Sequence, residues 1–223
     1  LIYSNYNYVI QNFLEENNFK VNSSIRDMNL KQDFQLALNN SHNIRFGLDL
    51  IHHTIAPGNI TASATSSVNE VTIEKRKGNE IAAYISDEWE VNDKFNLVYG
   101  LRASSFYLFG PGVFPSYDKD GLTTSTKTYT SGQLVKSYFN LEPRISASYQ
   151  LNEFSSFKSS YTRNTQNLHL MSNSTASSPT DLYIMSSNNV KPEIADQIAL
   201  GYFRNFNNDN YEFSTELYFK QMQ

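Results

Sequence analysis

His52 and His53 stand side by side in the stretch GLDLIHHTI, and two adjacent imidazoles suggest a metal site. In a β-strand neighbouring side chains point to opposite faces, so this pair cannot close on one ion. With Leu48 and Leu50 setting the apolar parity, His52 belongs at the edge of an apolar face and His53 on the polar face or its rim. Glu88 and Glu90 share the polar parity roughly 7 Å apart, near the spacing of a glycosidase carboxylate pair. No other element of a cleft accompanies them, and a hydrated wall holds such charges at little cost. Neither GxSxG, a P-loop nor HExxH occurs. With no cysteine there is no disulfide framework, thiolate metal site or catalytic thiol. The sequence therefore predicts neither an enzyme nor a bound cofactor or metal.

The remaining candidates are binding residues. Tyr117, Tyr129, His169, Asp181 and Tyr183 put aromatic and polar groups among small residues in long polar connections, where ligands are commonly met. Of these, His169, Asp181 and Tyr183 are the expected ligand contacts, in a segment from Gln166 to Glu193 whose Leu168, Leu170, Met171, Leu182, Ile184 and Met185 predict partial folding against neighbours. Sequons at Asn22, Asn39, Asn59 and Asn173 read as loop composition in a chain so rich in Asn, Ser and Thr. A formal net charge of -4 without a basic stripe excludes a nucleic-acid partner.

Positioning these residues falls to strands. NLEPRISASYQ, from Asn140 to Gln150, sorts by parity: Leu141, Pro143, Ile145, Ala147 and Tyr149 against polar residues at every other position. Aromatics are 14% of the chain, 15 Tyr and 15 Phe, a bias toward strands and membrane interfaces. The same alternation marks about nine strands, near 1–12, 24–38, 43–55, 80–91, 95–108, 138–151, 155–165, 194–206 and 211–222. Short Asn- and Asp-rich turns at 40–42, 92–94, 152–154 and 207–210 alternate with long connections at 13–23, 56–79, 110–137 and 166–193. Short turns on one rim and long loops on the other describe an all-β antiparallel up-and-down meander of the outer-membrane barrel kind. Matching parity across the turns pairs Val91 with Phe95, Trp89 with Leu97, Ile85 with Leu101, Phe206 with Tyr211, Leu200 with Leu217, Leu36 with Phe46 and Tyr149 with Phe157. Asp87 is the exception on the apolar side. Trp89, Phe95, Tyr149, Phe157, Phe206, Tyr211 and Phe213 gather near the short turns as an interfacial girdle.

Three segments, YFNLEPRISASYQLNEFSSFKSSYTRN at 138–164, NVKPEIADQIALGYFRNF at 189–206 and DEWEVNDKFNLVYGLRAS at 87–104, resemble the β-barrel of TonB-dependent outer-membrane receptors. Pro143-Arg144 before a short turn, Lys191-Pro192-Glu193 opening a later strand, and the step Gly201-Tyr202 carry the likeness. The resemblance implies active nutrient uptake through a 22-stranded barrel, of which residues 1–223 would be a fragment. Its partners would be outer-membrane lipid, the protein's own plug domain, the TonB complex, and a siderophore, vitamin, glycan or peptide. Arg102, Glu142, Arg144 and Lys158 share the polar face and are the expected plug contacts. The rivals are a secreted all-β carbohydrate-binding module and a passive porin or adhesin barrel.

Overall fold

The computed structural model describes residues 1–12, 18–62, 69–171, 182–207 and 210–223. Strands account for most of these: β1 (Ile2–Asn12), β2 (Phe19–Ala37), β3 (His42–Ala62), β4 (Val71–Thr72), β5 (Arg76–Asn92), β6 (Phe95–Phe109), β7 (Gly112–Tyr117), β8 (Thr123–Tyr129), β9 (Leu134–Asn152), β10 (Ser155–Gln166), β11 (Leu168–Met171), β12 (Leu182–Met185), β13 (Glu193–Phe206) and β14 (Tyr211–Met222). One sheet runs β1-β2-β3-β5-β6-β9-β10-β13-β14, with β4 on β3. Every pair in it is antiparallel. Sequential strands pair, so the short turns share one end and the long connections the other. The only other sheets among the described residues are the hairpins β7–β8 and β11–β12, so the sandwich lacks the second large sheet it requires.

Register follows from parity. Trp89↔Leu97, Ile85↔Leu101, Leu200↔Leu217, Phe206↔Tyr211 and Phe157↔Tyr149 pair as the sequence predicts. Two alignments shift. Leu36 meets Ile44, and Phe34 takes Phe46 instead, their rings stacked 5.2 Å apart; a slip of two keeps the face, so parity could not detect it. Phe95 meets Asn92, with a bulge displacing Val91, where Asn92 Oδ1 accepts from the N–H groups of Lys94 and Phe95. Strands also reach further than alternation indicates: β2 starts at Phe19, β3 runs to Ala62, and β5 and β9 start at Arg76 and Leu134.

One face of the sheet is apolar and open. Leu200 is 57% exposed and Ile145 47%, with Leu101, Leu141 and Leu217 alongside. Such a continuous exposed apolar face needs a cover of lipid or partner. Asp87, the apparent exception on it, accepts through Oδ2 from the Tyr99 hydroxyl at 3.0 Å and lies 2.7 Å from His42 Nδ1, with the His42 ring stacked on Trp89. The other face is divided. Toward the short turns it is polar, while toward the long connections Ile55, Phe106, Leu108, Phe114 and Met185 form a buried cluster. Gly78 permits that packing, since a Cβ there would lie 2.8 Å from Met185 Sδ and 2.9 Å from the Phe106 ring.

Candidate functional site

Register carries four charged residues from three strands to one place on the polar face. Tyr84 of β5 pairs with Arg102 of β6, and Arg102 with Glu142 of β9; Asp49 of β3 lies one row on. Arg102 Nη2 is 3.1 Å from Asp49 Oδ2, and its Nε is 3.8 Å from Glu142 Oε1. Arg144 Nη2 is 3.7 Å from Glu142 Oε2. Glu142 Oε1 also accepts from the Ser104 hydroxyl at 2.8 Å and the Thr165 hydroxyl at 3.0 Å. A carboxylate only 4% exposed thus keeps its partners, as burial of a charge requires. Pro143 helps to make the room: it has no N–H for a ladder, and β9 and β10 pair only as far as Arg144↔Thr162. Beyond that point Arg144 donates to Asn164 Oδ1 at 3.0 Å.

Of the residues expected together, Arg102, Glu142 and Arg144 form this network. Lys158 lies apart, its ammonium 4.7 Å over the Phe203 ring, in the row of Ser148 and Gly201 nearer the short turns. Sequence reasoning missed Asp49, although it carries the polar parity between Leu48 and Leu50. Lys31, Asp33, Arg45 and Arg144 edge an open groove of about 830 Å³ beside the network. Glu88 and Glu90 keep the polar parity, opposite Val98 and Asn96. His52 and His53 do point to opposite faces: His53 is buried between Asp27 Oδ1 at 2.8 Å and Glu80 Oε1 at 3.7 Å, while His52 is exposed and bonds Asn79. Among the described residues no three His, Asp or Glu side chains are grouped to hold a metal.

The long connections differ most from expectation, because two of them form hairpins that pack on the polar face. In β11–β12 Leu168 pairs with Met185, His169 with Ile184 and Leu170 with Tyr183. Leu168 and Tyr183 pack on the cluster around Phe106 and Leu108. His169 Nε2 is 2.9 Å from the Ser186 hydroxyl, and burial holds its pKa below the usual histidine value against the opposing pull of Glu193. Asp181 lies outside the described residues. In β7–β8 Tyr129 meets Phe114 edge-on at 5.6 Å, whereas Tyr117 is exposed. Asn188 and Asn189 clip the two hairpins together, both donating to the Pro115 carbonyl at 2.8 and 2.9 Å. Tyr138 donates to the Ser187 carbonyl at 2.5 Å. A cavity of about 240 Å³ remains between them, lined by Ile55, Leu108, Phe114, Tyr183, Met185 and Asn188.

The family model "TonB dependent receptor-like, beta-barrel" matches residues 2–223. The chain belongs to that family. Its members are receptors and transporters of the outer membrane, with barrels that carry a plug. Solved structures agree on the fold. The copper transporter OprC superimposes with a TM-score of 0.66 at 12% identity, over 99% of this chain and 35% of its own. The FrpB iron transporter from Neisseria meningitidis, as the F5-1 variant apoprotein, gives 0.56 at 16% identity over 99% and 37%. The ferric-catecholate import receptor Fiu from E. coli K12 gives 0.51 at 16% identity over 92% and 32%. The chain spans about a third of the length of these structures. A search of curated proteins finds no match.

Proposed function

We propose that residues 1–223 are a segment of a 22-stranded outer-membrane barrel whose complete protein actively imports a scarce nutrient, a siderophore, vitamin, glycan or peptide, driven by the TonB complex. The apolar face meets lipid and the polar face lines the lumen against the plug domain. The observation that carries this reading is the pairing of an open apolar face with a charge network on its reverse, in which the buried carboxylates of Asp49 and Glu142 hold Arg102 and Arg144. A watery pore needs only polar residues there; a braced network suits a wall that bears on a second body. Arg144, the exposed end of the network, and Lys158 touch the plug, while Glu142, braced by Arg102, holds Arg144 in place. His169, Tyr183 and Asp181 belong to the segment that captures ligand at the outer rim.

Copper, iron and a ferric catecholate appear in the names of the matched structures, so metal ions and chelates are the first cargo to try. The complete receptor, expressed in a host stripped of its own receptors, is given a panel of radiolabelled ferric siderophores, copper salts and cobalamin, with and without an uncoupler. Saturable accumulation that the uncoupler abolishes is expected. Non-saturable flux indifferent to the uncoupler would make the protein a passive pore.

A further inference from the structure

The apolar face changes character abruptly at the long-connection end of β2, β3 and β5. Leu30↔Leu50↔Ile81 form one exposed cross-strand row, Met28↔His52↔Asn79 the next, and Arg26↔Thr54↔Lys77 the one after. Each step of two residues keeps the face, so all three rows point the same way. Arg26 and Lys77 lie two strand spacings apart, roughly 10 Å, within reach of one another across Thr54. Both are exposed, and neither has an ion pair among the described residues. Arg163, the corresponding cation farther along this face on β10, differs: it gives Asp196 two bonds of 2.8 Å, and Tyr161 donates to the same carboxylate at 2.8 Å. Arg163 is satisfied by its own strands; Arg26 and Lys77 are not. Between them the Thr54 hydroxyl is only loosely held, 3.4 Å from His52 Nε2, while His52 Nδ1 is fixed to Asn79 Oδ1 at 2.6 Å.

We propose that Arg26, Thr54 and Lys77 bind the phosphorylated headgroup of an anionic lipid of the outer leaflet, whose acyl chains lie along Leu30, Leu50 and Ile81. This rests on the barrel reading, which sets these rows in the membrane and the long connections outside the cell. The chemistry follows from position. A guanidinium grips phosphate through two parallel N–H donors, a lysine adds a mobile point charge, and a hydroxyl donates to a third oxygen. Both cations stand one row beyond Met28, where their stems cover apolar surface and their heads reach the polar boundary. Cations left without counter-ions at that boundary attract anionic headgroups. The Arg163–Asp196 pair, already neutralised, should not.

The test uses the complete receptor in zwitterionic detergent, titrated with bis-phosphorylated lipid A and with the same lipid dephosphorylated, against R26Q/K77Q and, as control, K119Q in the β7–β8 turn. Phosphorylated lipid A is expected to bind R26Q/K77Q about tenfold or more weakly than wild type, to bind K119Q unchanged, and to lose most of its advantage over the dephosphorylated form in the double variant. Equal binding by wild type and R26Q/K77Q overturns the site and leaves the barrel intact. Competition by inorganic phosphate at the same concentration overturns the lipid as occupant. A receptor that fails to insert into vesicles overturns the barrel reading itself.

Discussion

Arg102, Ser104, Phe106 and Leu108 are successive residues of β6 on one face, and they divide into two pairs with opposite surroundings. Arg102 and Ser104 join Asp49 and Glu142 in a charged network. Phe106 and Leu108, 0% and 1% exposed, are packed among Ile55, Phe114 and Met185. Strand geometry is the same throughout, so the difference comes from what lies across the face. Over the upper half two hairpins of this chain supply a dry cover; over the lower half they do not reach. A side chain's parity states which face it takes, and the partner opposite decides whether charge or hydrocarbon belongs there.

The largest effect is expected where the dry half is emptied. Phe106→Ala should cost about 3–5 kcal/mol and release the β11–β12 hairpin. Denaturant unfolding of the complete receptor in vesicles reads the first, and hydrogen exchange at Ile184 the second. A loss below about 1 kcal/mol, with Ile184 still protected, would mean that the cluster does not hold the hairpin. Next comes the opposite face of β9, where Ile145→Arg should cost about 2–4 kcal/mol in the same vesicles if that face meets lipid. Ser146→Asn, one residue on and on the polar side, should fold like wild type, and equal tolerance at both positions would erase the distinction between faces.

Within the wet half, Glu142→Ala should cost about 1–3 kcal/mol, because Arg102, Ser104 and Thr165 lose a common acceptor. Glu142→Gln, which keeps an acceptor, should recover part of it. If both variants unfold at the wild-type midpoint, the network is ornament on a hydrated wall. The smallest effect concerns His169. Its folded pKa lies below its unfolded one, so docking of the hairpin is at full strength above about pH 6.5 and weakens as pH falls through that value toward the folded pKa. The protection of Ile184, its exchange rate set against the intrinsic amide rate at each pH, should therefore fall slightly in acid in wild type and stay level in His169→Gln; identical profiles would remove His169 from the account.

Whatever depends on parity and on near neighbours is legible in the order of the amino acids. Period-two alternation assigns Leu97, Leu101, Leu141, Ile145, Leu200 and Leu217 to one face and Arg102, Glu142, Arg144 and Lys158 to the other. Turns a few residues long carry that parity across, so the pairs Trp89↔Leu97 and Leu200↔Leu217 follow from residue order alone. The slip of Leu36 to Ile44 escaped because a shift of two residues preserves the face, and the bulge at Val91 because it depends on Asn92 capping a turn. Which charges meet is a matter for the assembled sheet. Asp49 lies 53 residues from Arg102 and reaches it only through the pairing of β3 with β5 and β5 with β6. Tertiary packing likewise turns the Ser- and Thr-rich connections back on the polar face: the Leu, Tyr and Met residues of β11 and β12 are too few to form a core of their own, and they find one only against Ile55, Phe106 and Leu108, which distant strands provide.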